Sequence, residues 1–153
     1  MILISACLLG ENCTYKGSNN YDPDIIKWLK DREYLAICPE VLGGLSTPRL
    51  PAEIQKGTGN EVLKGTARVV NQRGKDLTAP FLSGAKAALE LAINKDAQLV
   101  ILKENSPSCG VKKIYDGSFS KQKINGQGVT AALLIQNGFK VCSEKNLKKQ
   151  GLY

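Results

Sequence analysis

The stretch Ile2-Leu-Ile-Ser-Ala-Cys7 decides the fold, because a short continuous apolar run is typical of a strand covered on both faces. Two similar runs also end near cysteines. Tyr34-Leu-Ala-Ile37 stands directly before Cys38, and Leu99-Val-Ile-Leu102 lies shortly before Cys109. If these runs are neighbouring parallel strands, their three thiols meet at the carboxyl edge of the sheet, where open α/β sheets bind ligands.

Helical patterns between the runs predict an α/β fold. Asp22-Pro23 combines an N-cap residue with proline at the first helical position, which predicts a helix to about Arg32. Further helices are predicted from Thr78 to about Ala92 and over 128–136. Strands that alternate with helices indicate a three-layer, Rossmann-like fold with a mostly parallel sheet, and residues 1–153 are predicted to form a single domain.

Two long segments carry no clear periodicity. We expect an irregular segment from Pro39 to about Gly65 and a loop from Lys103 to Asn125, and segments of this length are usually functional or mobile. A short strand is predicted at Ala67-Arg-Val-Val70 and a last strand from Phe139 to Cys142. Ser143 is predicted to cap a terminal helix.

Composition limits the classes of protein to consider. Of 153 residues, 42% are hydrophobic and 23% charged, as in ordinary globular domains. No apolar run reaches the roughly 18 residues of a membrane span. The apolar N-terminus has no basic flank and ends at Gly10-Glu11, so we expect no signal peptide and a cytoplasmic protein with reduced thiols.

Histidine is absent from the sequence, which excludes Ser-His and Cys-His pairs and histidine metal ligands. Five cysteines, an odd number, fit a disulfide framework poorly. The formal net charge of +7 favours an anionic partner, either a small ligand or nucleic acid, but is equally compatible with a solubilising surface. Nothing in the sequence defines an oligomeric state.

The cysteines point to a soft metal centre, because thiolates are the ligands that zinc and iron–sulfur clusters prefer. Their spacing matches no simple motif, since Cys7 and Cys13 are six positions apart and the others are farther. Cys13 is left with three interpretations: a spare ligand, a resolving thiol or a bystander. Cys142, in a short terminal strand, is expected to be a core residue.

Four motifs occur in order along nearly the whole chain: Ser5-Ala-Cys-Leu-Leu-Gly10, Cys38-Pro-Glu40 with Gly43-Gly-Leu45 and Pro48-Arg49, Ser106-Pro-Ser-Cys-Gly110, and Gly126-x-Gly-Val-Thr-Ala131. Together they resemble the domain-of-unknown-function family 523, whose characterised members are thiouracil desulfidases. The resemblance implies a 4Fe–4S cluster held by Cys7, Cys38 and Cys109, with the fourth iron lacking a protein ligand. Thr14-Tyr-Lys-Gly17 departs from the Arg-Tyr-Asp-Gly-like stretch of that family.

The resemblance also implies the reaction: non-redox desulfuration of a small thiolated base such as 2-thiouracil, giving the oxo product and sulfide. Glu40 is the candidate for general acid–base catalysis. Ser106 is expected to hydrogen-bond the substrate or assist proton transfer, and Ser108 competes for that role. The alternative for Ser106 is an ordinary turn hydroxyl.

Other residues near the motifs are candidates for binding the substrate or balancing charge. Arg49 is predicted to anchor a carbonyl or anionic group, with an ion pair to Glu53 as the alternative. Gly43 and Gly44 would allow close backbone approach to the substrate. Lys103 is a candidate to balance the negative charge of the cluster.

Two other functions remain open. The thiolated base could be part of a tRNA, which a cluster of Lys112, Lys113, Lys121 and Lys123 beside the site would favour. Alternatively, the chain is a non-catalytic zinc or redox-sensing module with four thiol ligands, the fourth being Cys13. The short Gly126-x-Gly128 motif is not a dinucleotide fingerprint, and predicts a helix start with or without substrate contact.

Overall fold

The computed structural model describes residues 1–149, so residues 150–153 of the predicted domain lie outside the described part. Its strands are β1 (Ile2–Ser5), β2 (Tyr34–Ile37), β3 (Ala52–Gln55), β4 (Arg68–Asn71), β5 (Leu99–Leu102), β6 (Lys113–Tyr115), β7 (Lys123–Asn125) and β8 (Val141–Ser143). Its helices are α1 (Pro23–Leu29), α2 (Pro39–Leu42), α3 (Gly59–Lys64), α4 (Thr78–Asn94), α5 (Val129–Gln136) and α6 (Glu144–Lys149).

The main sheet is parallel throughout, with the order β2-β1-β5-β8. Strand β1 therefore lies between β2 and β5, so the strands that precede the three cysteines are parallel neighbours in one sheet. Ile4 pairs with Ala36 of β2 on one side and with Ile101 of β5 on the other. This order places the ends of β1, β2 and β5 side by side at one edge of the sheet.

Helices cover both faces of this sheet, which confirms the predicted three-layer α/β fold. Leu3 and Val100 pack with α4 and α5 on one face. Their neighbours in sequence, Ile4 and Ile101, pack with α1 and α6 on the other. Fully buried strands that alternate between two helical layers explain the continuous apolar runs in the sequence.

Both predicted helix N-caps are present. The Asp22 side chain accepts the N–H groups of Asp24 and Ile25 at 3.1 and 3.3 Å. The Ser143 hydroxyl accepts the N–H of Asn146 at 3.1 Å and starts α6. Helix α1 ends at Leu29, earlier than predicted, because the chain must turn there to enter β2.

The two segments that were expected to be irregular contain regular structure. The segment after Pro39 contains α2, β3 and α3, and β3 pairs antiparallel with β4. Residues 103–125 include the antiparallel hairpin of β6 and β7. A third hydrophobic cluster joins these parts to the start of α4 and to α5. Periodicity missed them because strands of three or four residues carry almost no repeating pattern.

None of the helices formed by residues 1–149 is long and apolar enough to cross a membrane.

Candidate functional site

A cavity of about 820 Å³ opens at the carboxyl edge of the parallel sheet. Four thiols line it, those of Cys7, Cys13, Cys38 and Cys109. The strand order therefore gathers the three strand-end cysteines as the sequence predicts. Cys142 is buried in β8 within the hydrophobic cluster beside α1 and α6, as expected for a core residue.

Local backbone structure fixes each of the three thiols. Cys7 lies in a single 3-10 turn, Ala6–Leu9, directly after β1. Cys38 is the N-cap of α2, directly after β2. Cys109 follows β5 by a longer loop, in which the Ser106 hydroxyl accepts the N–H of Cys109 at 3.1 Å. The backbone of the chain itself thus places each of the three cysteines.

The environments of Cys7 and Cys38 favour thiolates. A hydrogen bond from the Cys13 thiol lowers the pKa of Cys38 to about 7, against burial, and the N–H of Val41 adds to this effect. The Cys13 thiol also lowers the pKa of Cys7, helped by Asn20 and by the charge of Lys103. Lowered thiol pKa values are typical of metal-binding cysteines.

Cys13 lies between these two thiols, and its single S–H proton is within hydrogen-bonding reach of both. Hydrogen bonds to Cys38 and Cys7, together with burial, raise its own pKa above the ordinary value. Its carbonyl oxygen accepts a hydrogen bond from Arg49 Nη2 at 3.0 Å. Cys13 is therefore part of the cavity wall, while its role as ligand, resolving thiol or bystander stays open.

Cys109 is the most deeply placed of the three strand-end thiols. Burial raises its pKa, and the Ser108 hydroxyl, which donates to its Sγ at 3.4 Å, opposes that shift. The charges of Glu40, Cys38 and Cys7 raise it further, so these groups are close enough to interact. A positively charged group at the centre of the site would relieve this repulsion.

Glu40 and Arg49 form an ion pair in the cavity wall, with 2.8 Å between Glu40 Oε2 and Arg49 Nη2. Their side chains are 18% and 9% exposed. Burial raises the pKa of Glu40, although the Arg49 guanidinium opposes the shift. A carboxyl group with a raised pKa beside a cavity is suited to proton transfer near neutral pH.

The alternative partner predicted for Arg49 was wrong, because Glu53 is engaged elsewhere. Glu53 accepts the N–H groups of Gly117 and Phe119 and lies on β3. Arg49 also donates to the Ser46 carbonyl at 3.1 Å, which fixes its guanidinium at the cavity.

Lys103, the first residue after β5, lines the cavity. Its Nζ lies 3.1 Å from Glu144 Oε1, and its charge lowers the pKa of Cys7. The ion pair keeps the ammonium group beside the thiols. This position fits the predicted role of balancing negative charge.

The remaining predicted site residues differ in their distance from the cavity. Ser106 lines it, while its hydroxyl pairs with that of Ser108 at 3.0 Å. Ser108, Gly43 and Gly44 are outside the lining. A Cβ at Gly43 would lie 2.1 Å from the carbonyl oxygen of Pro80, so this glycine allows α2 to pack against α4. Substrate contact by these three residues stays a prediction.

The amino end of α5 holds the Cys109 loop, which sequence analysis did not anticipate. The N–H groups of Val129 and Thr130 donate to the carbonyls of Pro107 and Ser108, each at 2.9 Å. A Cβ at Gly128 would lie 2.5 Å from the Ser108 carbonyl carbon, so only glycine permits this approach. The Gly126-x-Gly128 motif was the signal, and it marks a helix start that packs on the Cys109 loop.

Aromatic and basic side chains also line the cavity, and of these Tyr15, Lys16, Tyr115 and Phe119 were missed as site residues. The lining includes Tyr15, Lys16, Tyr115, Phe119, Lys121 and Lys123. Of the four lysines that would favour tRNA, the second pair lines the cavity and the first pair does not.

The donor set is compatible with an iron–sulfur cluster. The cavity is lined by thiols and contains no imidazole. Two of these thiols, Cys7 and Cys38, have lowered pKa values that favour the thiolate form. Among residues 1–149, no three Cys, Asp or Glu side chains are grouped closely enough to hold a single metal ion. Because a four-iron cluster is wider than one ion, its ligands stand farther apart than those of a zinc site.

Comparison with known proteins also indicates an iron–sulfur site. A family model described as 2-thiouracil desulfurase matches residues 2–146. The uncharacterized protein YbbK of Bacillus subtilis strain 168 is 52% identical over 147 residues, which cover 96% of this chain and 97% of that protein. The solved structure of the 4Fe–4S-dependent thiouracil desulfidase TudS matches with a TM-score of 0.85 and 40% identity, over 99% of this chain and 95% of that one. The chain belongs to the 2-thiouracil desulfurase family.

Proposed function

We propose that the protein is a non-redox desulfidase that converts a small thiolated base, such as 2-thiouracil, to its oxo product and releases sulfide. Its cofactor is a 4Fe–4S cluster on Cys7, Cys38 and Cys109, with one iron free of protein ligands. One observation carries the proposal: these thiols line a single cavity together with the buried Glu40–Arg49 pair. The family and its cluster-dependent relative support it.

A bound cluster of this kind supplies a Lewis acid with affinity for sulfur, which can polarise a C=S bond. The chain provides orientation and proton transfer. Arg49 lines the cavity beside Glu40, and its two Nη atoms already donate four hydrogen bonds within the chain, which leaves its Nε–H to bind a carbonyl oxygen of the base. Glu40, whose pKa is raised by burial, can take a proton from the attacking water and pass it to the departing sulfur, so that both protons of the water leave with the sulfide and the base keeps its own.

Ser106 is the second candidate for proton handling. Its hydroxyl lies at the cavity, 3.0 Å from that of Ser108, which in turn donates to Cys109. The two hydroxyls form a short chain that ends at a ligand sulfur. With Ser108 donating to Cys109, the single hydroxyl proton of Ser106 goes to Ser108, so Ser106 can donate to the substrate only after its hydroxyl rotates away from Ser108.

Lys121 and Lys123 at the cavity support a second candidate, a thiolated base within RNA. Phosphate contacts make such binding fall steeply with salt. Competition of thiolated tRNA against the free base, measured at low and high salt, separates the two substrates. The free base remains the first proposal because only half of the predicted lysine group borders the cavity.

Anaerobic reconstitution with iron and sulfide tests the cofactor. We expect about four irons and four sulfides per chain, a broad absorbance near the visible range, and stoichiometric uracil and sulfide from 2-thiouracil. A protein that takes up zinc but no iron would refute the desulfidase and support the zinc module. Uracil release without any bound iron would refute the cluster assignment.

A further inference from the structure

The turn of the β6–β7 hairpin forms one wall of the cavity. Phe119 in this turn and Tyr115 of β6 both line it. Three hydrophobic clusters are found among the described residues, and Phe119 is part of none of them. Its half-buried ring therefore borders the cavity without filling a core.

The backbone of this turn is held in an unfavourable conformation. Phe119 has a φ of 58°, in the left-handed region that bulky side chains rarely adopt. Lys121 has a φ of 64°. Such conformations persist only where the surrounding structure enforces them, and they concentrate at functional sites.

Glu53 enforces the conformation from β3. Its Oε1 accepts the N–H of Gly117 at 2.9 Å and that of Phe119 at 3.2 Å, and the residue is 8% exposed. Gln55 Nε2 donates to the Gly117 carbonyl at 3.2 Å. A Cβ at Gly117 would lie 2.5 Å from the carbonyl oxygen of Ile54, so the turn lies directly against the strand.

We propose that Phe119 recognises the ring of the substrate by stacking and that Glu53 is the positioning residue that fixes Phe119 at the cavity. The inference rests on the proposed function for the class of ligand, a planar thiolated heterocycle. Aromatic side chains stack on planar conjugated rings whatever substituents the rings carry, whereas a puckered ring loses that contact. The thiols then define where sulfur binds, and Phe119 defines which ring shape is admitted.

Phe119→Leu and Phe119→Tyr test the stacking contact. In the cluster-loaded protein, we expect Phe119→Leu to raise KM for 2-thiouracil, and the dissociation constant of uracil measured by calorimetry, about tenfold. Phe119→Tyr should stay within about twofold of the wild type, because the aromatic face remains. Iron content and cluster absorbance should be the same in all three proteins.

Ring planarity gives a second readout. The wild type should bind uracil more tightly than the puckered 5,6-dihydrouracil, and Phe119→Leu should lose most of this preference. An unchanged KM in Phe119→Leu, or an unchanged preference for the planar ring, would overturn the inference. Gln122→Ala, an exposed change in the same turn and outside the lining, is the matched control.

Glu53→Gln and Glu53→Met test the positioning role. Glutamine keeps an oxygen that can accept both N–H groups, whereas methionine has a similar volume without that acceptor. We expect Glu53→Met to reproduce the rise in KM with kcat within about threefold, and Glu53→Gln to resemble the wild type. Equal losses in both variants would show that the charge matters and overturn the positioning role. Thermal melting checks the fold, and Phe119→Leu decides the stacking contact if Glu53→Met does not fold.

The binding and activity readouts separate this inference from the proposed function. A wild type that binds uracil but releases no sulfide would refute the desulfidase, while the uracil affinities would still decide the role of Phe119. A wild type that turns over normally, with no effect of Phe119→Leu, would refute only the stacking contact. A cluster-loaded wild type that binds neither ring would refute both.

Discussion

The Cys38 wall and the Cys109 wall of the cavity hold a thiol in two different ways. Cys38 stands at the start of α2, where hydrogen bonds from Cys13 and Val41 lower its pKa to about 7. Cys109 is 6% exposed, in a loop that the amino end of α5 holds by its backbone, and burial raises its pKa. Hydrogen bonds and charges determine the state of the thiol in the Cys38 wall, whereas burial and packing determine it in the Cys109 wall.

This difference suggests a division of labour between the two walls. The charged wall also carries the Glu40–Arg49 pair, so substitutions there should change chemistry and leave the fold intact. Substitutions in the packed wall should change stability, and with it the position of one ligand. Substitutions on each wall test that division.

Cys38→Ser and Cys109→Ser should both abolish turnover, because either change removes a proposed cluster ligand. They should differ in the cluster-free protein. Cys109→Ser buries a more polar group and should lower the free energy of unfolding by about 1–2 kcal/mol, whereas Cys38→Ser should change it little. Iron content and urea unfolding measure the two effects. Equal stability of the two variants would contradict the comparison of the walls.

Glu40→Gln should lower kcat by about 10²–10⁴-fold with the cluster still loaded, because glutamine can accept from Arg49 but cannot transfer the proton. Steady-state kinetics at matched iron content give the result. Glu90 is a carboxylate on α4 outside this cavity, so Glu90→Gln should leave kcat unchanged and serves as the control. Full turnover in Glu40→Gln would remove this residue from the mechanism.

Gly128→Ala should lower the free energy of unfolding by about 1–3 kcal/mol, because the added methyl group would stand 2.5 Å from the Ser108 carbonyl carbon. Displacement of the loop should also reduce the iron content after reconstitution. Gly138→Asn at the other end of α5 is the control, since its φ of 84° tolerates asparagine and no atom lies within 4 Å of an added Cβ. Wild-type stability of Gly128→Ala would contradict the packing argument.

Glu104→Gln should lower the free energy of unfolding at neutral pH by about 1–2 kcal/mol. Burial raises the pKa of this carboxyl, but the N–H groups of Val111, Lys112 and Lys113 outweigh it, so the net pKa lies below the ordinary 4.5. A carboxylate with a depressed pKa contributes stability above its unfolded value and loses it as the pH falls through the folded value.

The difference between wild type and Glu104→Gln should therefore be full above about pH 5 and shrink in more acidic solution. Urea unfolding at a series of pH values measures it. A difference that grows as the pH falls would show that the loop after β5 is not held by the charged form of Glu104.

Sequence predicted the buried strands and the helix caps, because a local pattern of residues is enough to indicate each of them. A short continuous apolar run such as Ile2–Ser5 is typical of a strand buried on both faces, and three such runs near cysteines predicted the sheet and its cysteine edge. Asp22 and Ser143 carry caps that local geometry alone determines. These features need no knowledge of distant parts of the chain.

Most of what sequence did not predict depends on contacts between distant segments; the local cap of Thr58 and Glu61 is the exception. Glu53 was assigned to Arg49 because they lie four positions apart, yet it accepts the N–H of Gly117, 64 positions away. Phe119 carries no local signal, since its role comes from a turn held against β3. Thr58 and Glu61 form a reciprocal cap, Thr58 N–H donating to Glu61 at 3.1 Å, that was visible as a pattern and passed over.

The anchoring of the ligand thiols has a consequence for repair. Hydrogen bonds and helix ends within the chain position Cys7, Cys38 and Cys109, the three proposed ligands, so we expect the walls of the site to keep their shape in the cluster-free protein. Small metal domains that fold around their ion unfold when it is removed. If the proposed cluster is lost in air, we expect a folded protein that takes up iron and sulfide again, so that activity would return without synthesis of new protein.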